Sequence, residues 1–478
     1  MTQIWRPDIP PSPGPLYARL TDALERDIAA GILPAGGRLP PQRDLAHTLG
    51  LSVGTVTKAY AEAERRGLLL AHVGRGSFIR GTSPDIAIAT SFDSVASASE
   101  AEATGPQGTG IDLRCNIPPR VGLSRALERA VADLAASGQL EPAVQYIQAS
   151  GLRSVREAGA AWLARRYGLA CDPADLIQCN GGQHAITLVL SSLCRPGDTV
   201  LCESATFYGA RTAAEHMGLT LRGVAMDEEG LIPSALERAA LETRARVLFT
   251  VPTLQNPTSR TMSLSRRQDI ARVARQHDLT LFEDDAYYLY ADPADRPPPL
   301  AAIAPERTVY LASISKGVCP GFRLAFVTLP PNVARERIMR GIRALGYCPP
   351  ALGGMIFARW VADGTADAVA DAVQAEAAAR LAMARQILGP AMDSPGAARS
   401  PHVWVPLSPL AAQRTLNHAL RAGVDLTPPE ACCVSRDAES GLRICLGAPD
   451  DRPTLERALH IVRDAIHEPA ISEARGII

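Results

Sequence analysis

Lysine is almost missing from this 478-residue chain. Of its 49 basic residues only Lys58 and Lys316 are lysines, and arginine fills every other place. Arginine stays protonated and cannot form a Schiff base, so any amine chemistry is confined to two positions. A signal-peptide core is missing from MTQIWRPDIPPSPGPLY, and no apolar run is long enough to span a bilayer. Net charge is only −1, which excludes a global field for nucleic acid or a membrane. The ten cysteines are scattered, with Cys432 beside Cys433 and no CxxC pair. That pattern excludes a disulfide framework and a zinc site, leaves no metal centre to expect, and fits reduced thiols in a cytoplasmic protein. Hydrophobic residues at 46% and charged ones at 21% are ordinary for a globular chain, and the length predicts more than one domain.

The first eighty residues read as three helices and a hairpin. PLYARLTDALERDIAAGIL places Leu16, Leu20, Ala23, Leu24 and Ile28 on one helical face, between Pro15 and Gly31. PQRDLAHTLG is a shorter helix ending at Gly50. Ser52 is the expected N-cap of SVGTVTKAYAEAERRG. LLLAHVGRGSFIRG turns at Gly74-Arg75-Gly76 as a hairpin. This is the order of a winged helix-turn-helix, whose third helix enters the major groove N-terminus first. Ser52 and Thr55 at its start allow close approach, Arg43 and Lys58 can meet phosphates or base edges, and Arg75 can reach from the wing. Lys58 could equally be a solvated lysine on the outer helix face.

TSPDIAIATSFDSVASASEAEATGPQGTG follows. Residues 82–111 hold four acids and no base, have no sustained period, and read as a flexible tether. Beyond Ile111, apolar runs (DTVLCES, RVLFTVP, LTLFEDD, TVYLAS) alternate with helical stretches such as SRRQDIARVARQHD. That alternation predicts a mostly parallel sheet covered by helices, with ligands at the strands' carboxyl ends. The groups following those strands are Asn256, Asp284 and Lys316, and CNGGQH opens a helix whose free N–H groups make an anion site.

Two resemblances follow from these motifs. LPPQRDLA, LSVGTVTKAYAEAERRGLL and GRGSFI closely resemble the DNA-binding domain of GntR regulators, over Pro15 to Gly81. GGQ, ESATFYG, QNPT, EDDAYY, SISK…PGFR and LRICLG, in that order from about Asp112 to Leu459, resemble fold type I pyridoxal-phosphate enzymes of the aspartate aminotransferase superfamily. The second resemblance implies that Lys316 would hold pyridoxal 5'-phosphate as an internal aldimine and that Asp284 would pair with the pyridine nitrogen. Asn256 and Tyr287 would bond the ring hydroxyl, and Phe207 would stack on the ring or simply belong to the core. Gly182, Gln183, Ser313 and Arg323 would hold the phosphate, and Tyr146 would reach the phosphate of a neighbouring subunit. Arg443 would clamp a substrate carboxylate. Asp285 and Tyr288 are the neighbouring candidates, and the Asp-x-x-Tyr spacing favours Asp284 with Tyr287. Two positions depart from the family pattern: Gly317 where a hydroxyl residue is usual, and Ser259 where QNPT usually ends in Gly.

Together the halves resemble the MocR subfamily of GntR regulators. The fold expected is a winged helix-turn-helix (1–81), a linker (82–111), and an α/β aminotransferase-like domain with a smaller α+β subdomain (112–478). The resemblance implies a head-to-tail homodimer, an operator in double-stranded DNA, and an amino acid or amine effector sensed by aldimine exchange at Lys316. Two rivals remain: an aminotransferase with a DNA-binding appendage, and an empty scaffold used to dimerise.

Overall fold

A computed structural model of the protein describes residues 5–9, 15–33, 37, 39–66, 68–72, 76–79, 110–292, 294–393, 397–435 and 438–467. Arg75 and tether residues 82–109 lie outside them. The chain divides into two compact units, 1–89 and 90–478.

The first unit comprises α1 (Leu16–Ala29), α2 (Gln42–Leu49), α3 (Val53–Arg65) and the antiparallel pair β1 (Leu69–His72) and β2 (Gly76–Ile79). Gly50 stops α2 in the left-handed conformation, φ 65°. Ser52 then caps α3, its hydroxyl accepting from the Thr55 N–H at 3.1 Å. The apolar spacing of α1 has its expected consequence: Leu20, Ala23 and Leu24 are buried, and pack with Leu45, Val56 and Ala63 into one core. Each buried leucine contributes about 1.5–3 kcal/mol.

The second unit opens with β3 (Ile111–Asp112), so Ile111, counted with the tether on composition, is already a strand residue. β4 (Ile177–Cys179), β5 (Thr199–Glu203) and β6 (Thr220–Val224) precede a small hairpin of β7 (Met226–Asp227) and β8 (Gly230–Leu231). β9 (Val247–Thr250), β10 (Thr280–Asp284), β11 (Thr308–Ser313) and β12 (Ala325–Thr328) follow. The main sheet has seven strands in the order β4-β12-β11-β10-β9-β5-β6. All pairings are parallel except those of β12, which runs against both β11 and β4. Strands β9 and β11 are buried throughout, as a sheet covered on both faces requires. A smaller subdomain adds β13 (His402–Pro406) paired with β15 (Gly441–Cys445), and β14 (Val424–Asp425) paired with β3, around their own core.

Buried polar groups fix the loop that leaves β9. The Glu203 carboxylate accepts from Thr250 Oγ1 at 2.6 Å and from the Val251 N–H at 2.9 Å. Arg267, fully buried, donates to the Pro252 carbonyl at 3.2 Å, Thr253 Oγ1 at 2.9 Å and the Met262 carbonyl at 3.1 Å. It lies 3.7 Å from Glu283, which is also buried and accepts from the N–H groups of Leu300 and Ala301. Removing one member of a buried ion pair strands the other. Arg267→Leu should therefore cost about 3–5 kcal/mol in urea denaturation. Arg153→Ala, which breaks the exposed Arg153–Glu157 pair, should leave the unfolding midpoint unchanged.

Candidate functional site

The carboxyl ends of β9, β10 and β11 and the N-terminus of the helix Gly181–Leu193 enclose one pocket, with about 620 Å³ of empty space including its mouth. Nine of the residues expected from the sequence line it: Gly182, Gln183, Phe207, Asn256, Asp284, Tyr287, Ser313, Lys316 and Arg323. Asp284 ends β10, and Lys316 comes three residues after β11. The β10–β11 pairing thus sets the carboxyl group and the amine on adjacent strand ends.

Burial dominates the electrostatics of this pair. It lowers the Lys316 amine from its usual range to about 8. It raises the Asp284 carboxyl to about 7, against the opposing hydrogen bond from the Ala286 N–H. Lys316 Nζ donates to the Asn116 carbonyl. Tyr287, not Tyr288, faces the pocket, and its hydroxyl lies 3.1 Å from Asn256 Nδ2. Asp285, the other carboxylate candidate, points elsewhere and accepts from the Tyr310 hydroxyl at 3.0 Å.

The opposite end of the pocket suits an anion. A Cβ on Gly181 would lie 2.5 Å from Arg323 Nη2, so only glycine, here at φ +75°, admits the guanidinium beside the helix start. The side chain of Gln183 is committed to the Gly209 carbonyl at 2.7 Å, which leaves its main-chain N–H for a ligand. Ser315 Oγ is buried and has no partner. Buried hydroxyls are rarely left so, and this one is an open position for a phosphate oxygen. An amine nucleophile, an opposed carboxyl group and a phosphate cradle fit pyridoxal phosphate. Gly317 is explained by space: a Cβ there would come within 2.4 Å of Leu289 Cδ1.

Two expected residues stand apart. Tyr146 is 81% exposed, packs on Tyr347, and does not line the pocket. Arg443 is buried behind it, donating to Asn256 Oδ1 at 2.8 Å, the Arg114 carbonyl at 2.8 Å and Thr427 Oγ1 at 3.0 Å. Sequence reasoning missed Asn116 and His402, which lie 2.9 Å apart across 286 residues, and no local pattern marks either.

In the first unit, Arg43, Ser52 and Lys58 are exposed and Thr55 is half-buried. The Ser52 hydroxyl is partly spent as a cap and also touches Thr55 Oγ1 at 2.8 Å. Thr57 Oγ1 donates to Gln42 Oε1 at 2.8 Å, tying α2 to α3.

Two pH effects follow. Only a neutral amine adds to a carbonyl, so the reaction of Lys316 with an added aldehyde should accelerate as pH rises, with a midpoint of about 8, read by stopped-flow absorbance. For Asp284, the folded state holds a proton between the ordinary value of 3.8 and about 7 that the unfolded state has lost. Its contribution to stability therefore falls as pH rises through that window. Asp284→Asn should be more stable than wild type without ligand at about pH 8, by about 0.5–2 kcal/mol, with no advantage near pH 4 in thermal unfolding.

Residues 109–462 match the aminotransferase class I and II family, and residues 16–79 match the bacterial regulatory proteins of the gntR family. An uncharacterised HTH-type transcriptional regulator of Bacillus subtilis (strain 168), YdeF, is 28% identical over 462 residues, covering 96% of each chain. The probable rhizopine catabolism regulatory protein MocR of Rhizobium meliloti is 26% identical over 368 residues, 73% of this chain and 72% of that one. The structure of LysN, the α-aminoadipate aminotransferase of Thermus thermophilus complexed with N-(5'-phosphopyridoxyl)-L-leucine, superposes with a TM-score of 0.66 at 25% identity, covering 75% of this chain and 92% of LysN. With a gntR domain ahead of a complete class I and II aminotransferase fold, the chain belongs to the MocR subfamily of GntR-type transcriptional regulators.

Proposed function

We propose that the chain regulates transcription by binding pyridoxal phosphate at Lys316 and responding there to an amino acid or another amine. The half-buried Lys316 amine and the buried Asp284 carboxyl group, lining one pocket, carry this reading. When bound, the cofactor supplies a carbonyl that condenses with amines and a pyridinium ring that takes up electrons. Asp284 holds the proton on that ring nitrogen. Gly182, the main chain of Gln183, Ser313, Ser315 and Arg323 hold the phosphate. Asn256 and Tyr287 orient the ring hydroxyl, and Phe207 covers a face. Lys316 would be the amine that holds the cofactor and that an effector's amine competes with. Arg443, anchored on Asn256, would meet the effector carboxylate.

Residues 1–81 read DNA in a major groove through Arg43, Ser52, Thr55, Lys58 and Arg75, 82–110 are the tether, and 111–478 the sensor. The protein acts in the cytoplasm as a head-to-tail homodimer. Val144, Tyr146, Tyr347 and Leu352 are exposed apolar side chains that a second copy would cover, and the resemblance implies that Tyr146 then serves the partner's phosphate. An effector that favours one arrangement of the sensors shifts the spacing of the readers by its differential affinity.

A second reading, a working aminotransferase that carries a reader, is favoured by the intact set of Lys316, Asp284, Tyr287 and Arg443. Absorption spectra separate the two. Protein with pyridoxal phosphate should show a visible band that Lys316→Ala abolishes. Under the regulator reading, an effector amine added without keto acid shifts the band and leaves it stable. Release of a keto acid, with loss of the band, would establish transamination. For the reader, Arg43→Ala and Lys58→Ala should each reduce the salt dependence of duplex binding by about one unit of log–log slope.

A further inference from the structure

Around Tyr287 the hydrogen bonds run in one direction only, and the direction can be derived. The Gln255 carbonyl can only accept, so His402 Nε2, 3.1 Å away, carries a proton. Burial, with Arg443 and Lys316 nearby, lowers the imidazole to about 3 and keeps it neutral. His402 Nδ1 is therefore an acceptor, and Asn116 must present its NH2 group to it at 2.9 Å. That same nitrogen lies 3.0 Å from the Tyr287 hydroxyl.

On the other side, Asn256 Oδ1 is taken by Arg443 Nη1 at 2.8 Å, so Asn256 also offers its NH2 group to Tyr287, at 3.1 Å. The tyrosine oxygen thus accepts twice. Its single proton has to be donated elsewhere, and Tyr287 lines the pocket with Asn256 and Lys316. The main chain of Asn116 meanwhile accepts from Lys316 Nζ. Asn116 and His402 are both more than nine-tenths buried, and neither was needed to explain the cofactor cradle.

We propose that Asn116 and His402 are positioning residues that fix Tyr287 as a hydrogen-bond donor into the Lys316 pocket, and so lower the proton affinity of the group bound there. The inference rests on the cofactor reading above. Removing either residue frees the tyrosine proton to turn away, and the bound oxygen it stabilised then holds its own proton more tightly.

Other ionisable groups face these residues and are the same in every variant compared. Lys316 is faced by Asp284, Arg443, Cys115 and Cys445. Tyr287 is faced by Arg443, Asp284, Cys445 and Tyr208, and His402 by Arg443 and Lys316. Burial pushes Cys115 up to about 12 and raises Cys445 and Tyr208. Asp284 is common to every variant compared.

The experiment titrates the visible band of full-length protein with pyridoxal phosphate against pH. Asn116→Ala and His402→Leu should each raise its midpoint by about one pH unit, a tenfold gain in proton affinity. His402→Asn, which can offer Asn116 an acceptor near the Nδ1 position, should stay closer to wild type. Circular dichroism selects folded variants, and either of the first two suffices. An unmoved midpoint in a folded variant overturns the inference alone. No band in the wild type overturns the cofactor reading and the inference with it. A shift in His402→Asn as large as in His402→Leu would mean that bulk, rather than the hydrogen bond, sets the midpoint, and would also overturn it.

Discussion

Keeping an amine and a carboxyl group together in one pocket, largely withdrawn from water, is the constraint on which this structure depends. On the surface, Lys316 and Asp284 would both stay charged and contribute little. Withdrawn from water at the ends of adjacent strands, Asp284 buried and Lys316 half-buried, each is driven toward its neutral form, the amine down to about 8 and the acid up to about 7. Both changes cost stability and both create chemistry, since only a neutral amine adds to a carbonyl.

The second requirement is that one loop keep its shape. Residues 251–262 carry Asn256 to the pocket and are held from below by Glu203 and Arg267. They are held from the small subdomain by Arg443 on Asn256, by His402 on Gln255, and by Arg260, which pairs with Asp393 at 2.9 Å and Glu439 at 2.7 Å. Ser259 sits at φ 61°, where a residue other than glycine is strained by about 1–3 kcal/mol. Its hydroxyl donates to the His402 carbonyl at 2.9 Å, a bond glycine could not make. The departure from the family pattern thus ties the loop to the small subdomain.

Much of this was legible in the sequence because it is local. The caps Gly50 and Ser52, the apolar face of α1 and the strand runs before Asn256, Asp284 and Lys316 each declare themselves within a few residues. Lys316 declared itself by rarity. What stayed hidden depends on contacts between distant segments: Asn116 against His402, Arg267 beside Glu283, and the commitment of Arg443 to internal partners. Polar residues of this kind look like solvated surface in a linear reading, and only packing reveals that they are buried. The choice of Tyr287 over Tyr288 rested on spacing, and the pocket places Tyr287 inside.

One quantity joins the two units: the affinity of the full-length protein for its own promoter DNA, measured with pyridoxal phosphate while amino acids and amines are added. The account predicts that at least one amine changes that affinity in wild type, at concentrations that also shift the visible band, and leaves Lys316→Ala unaffected. DNA affinity that ignores every amine shifting the band, or that responds equally in Lys316→Ala, would contradict the claim that the Lys316 pocket governs the reader.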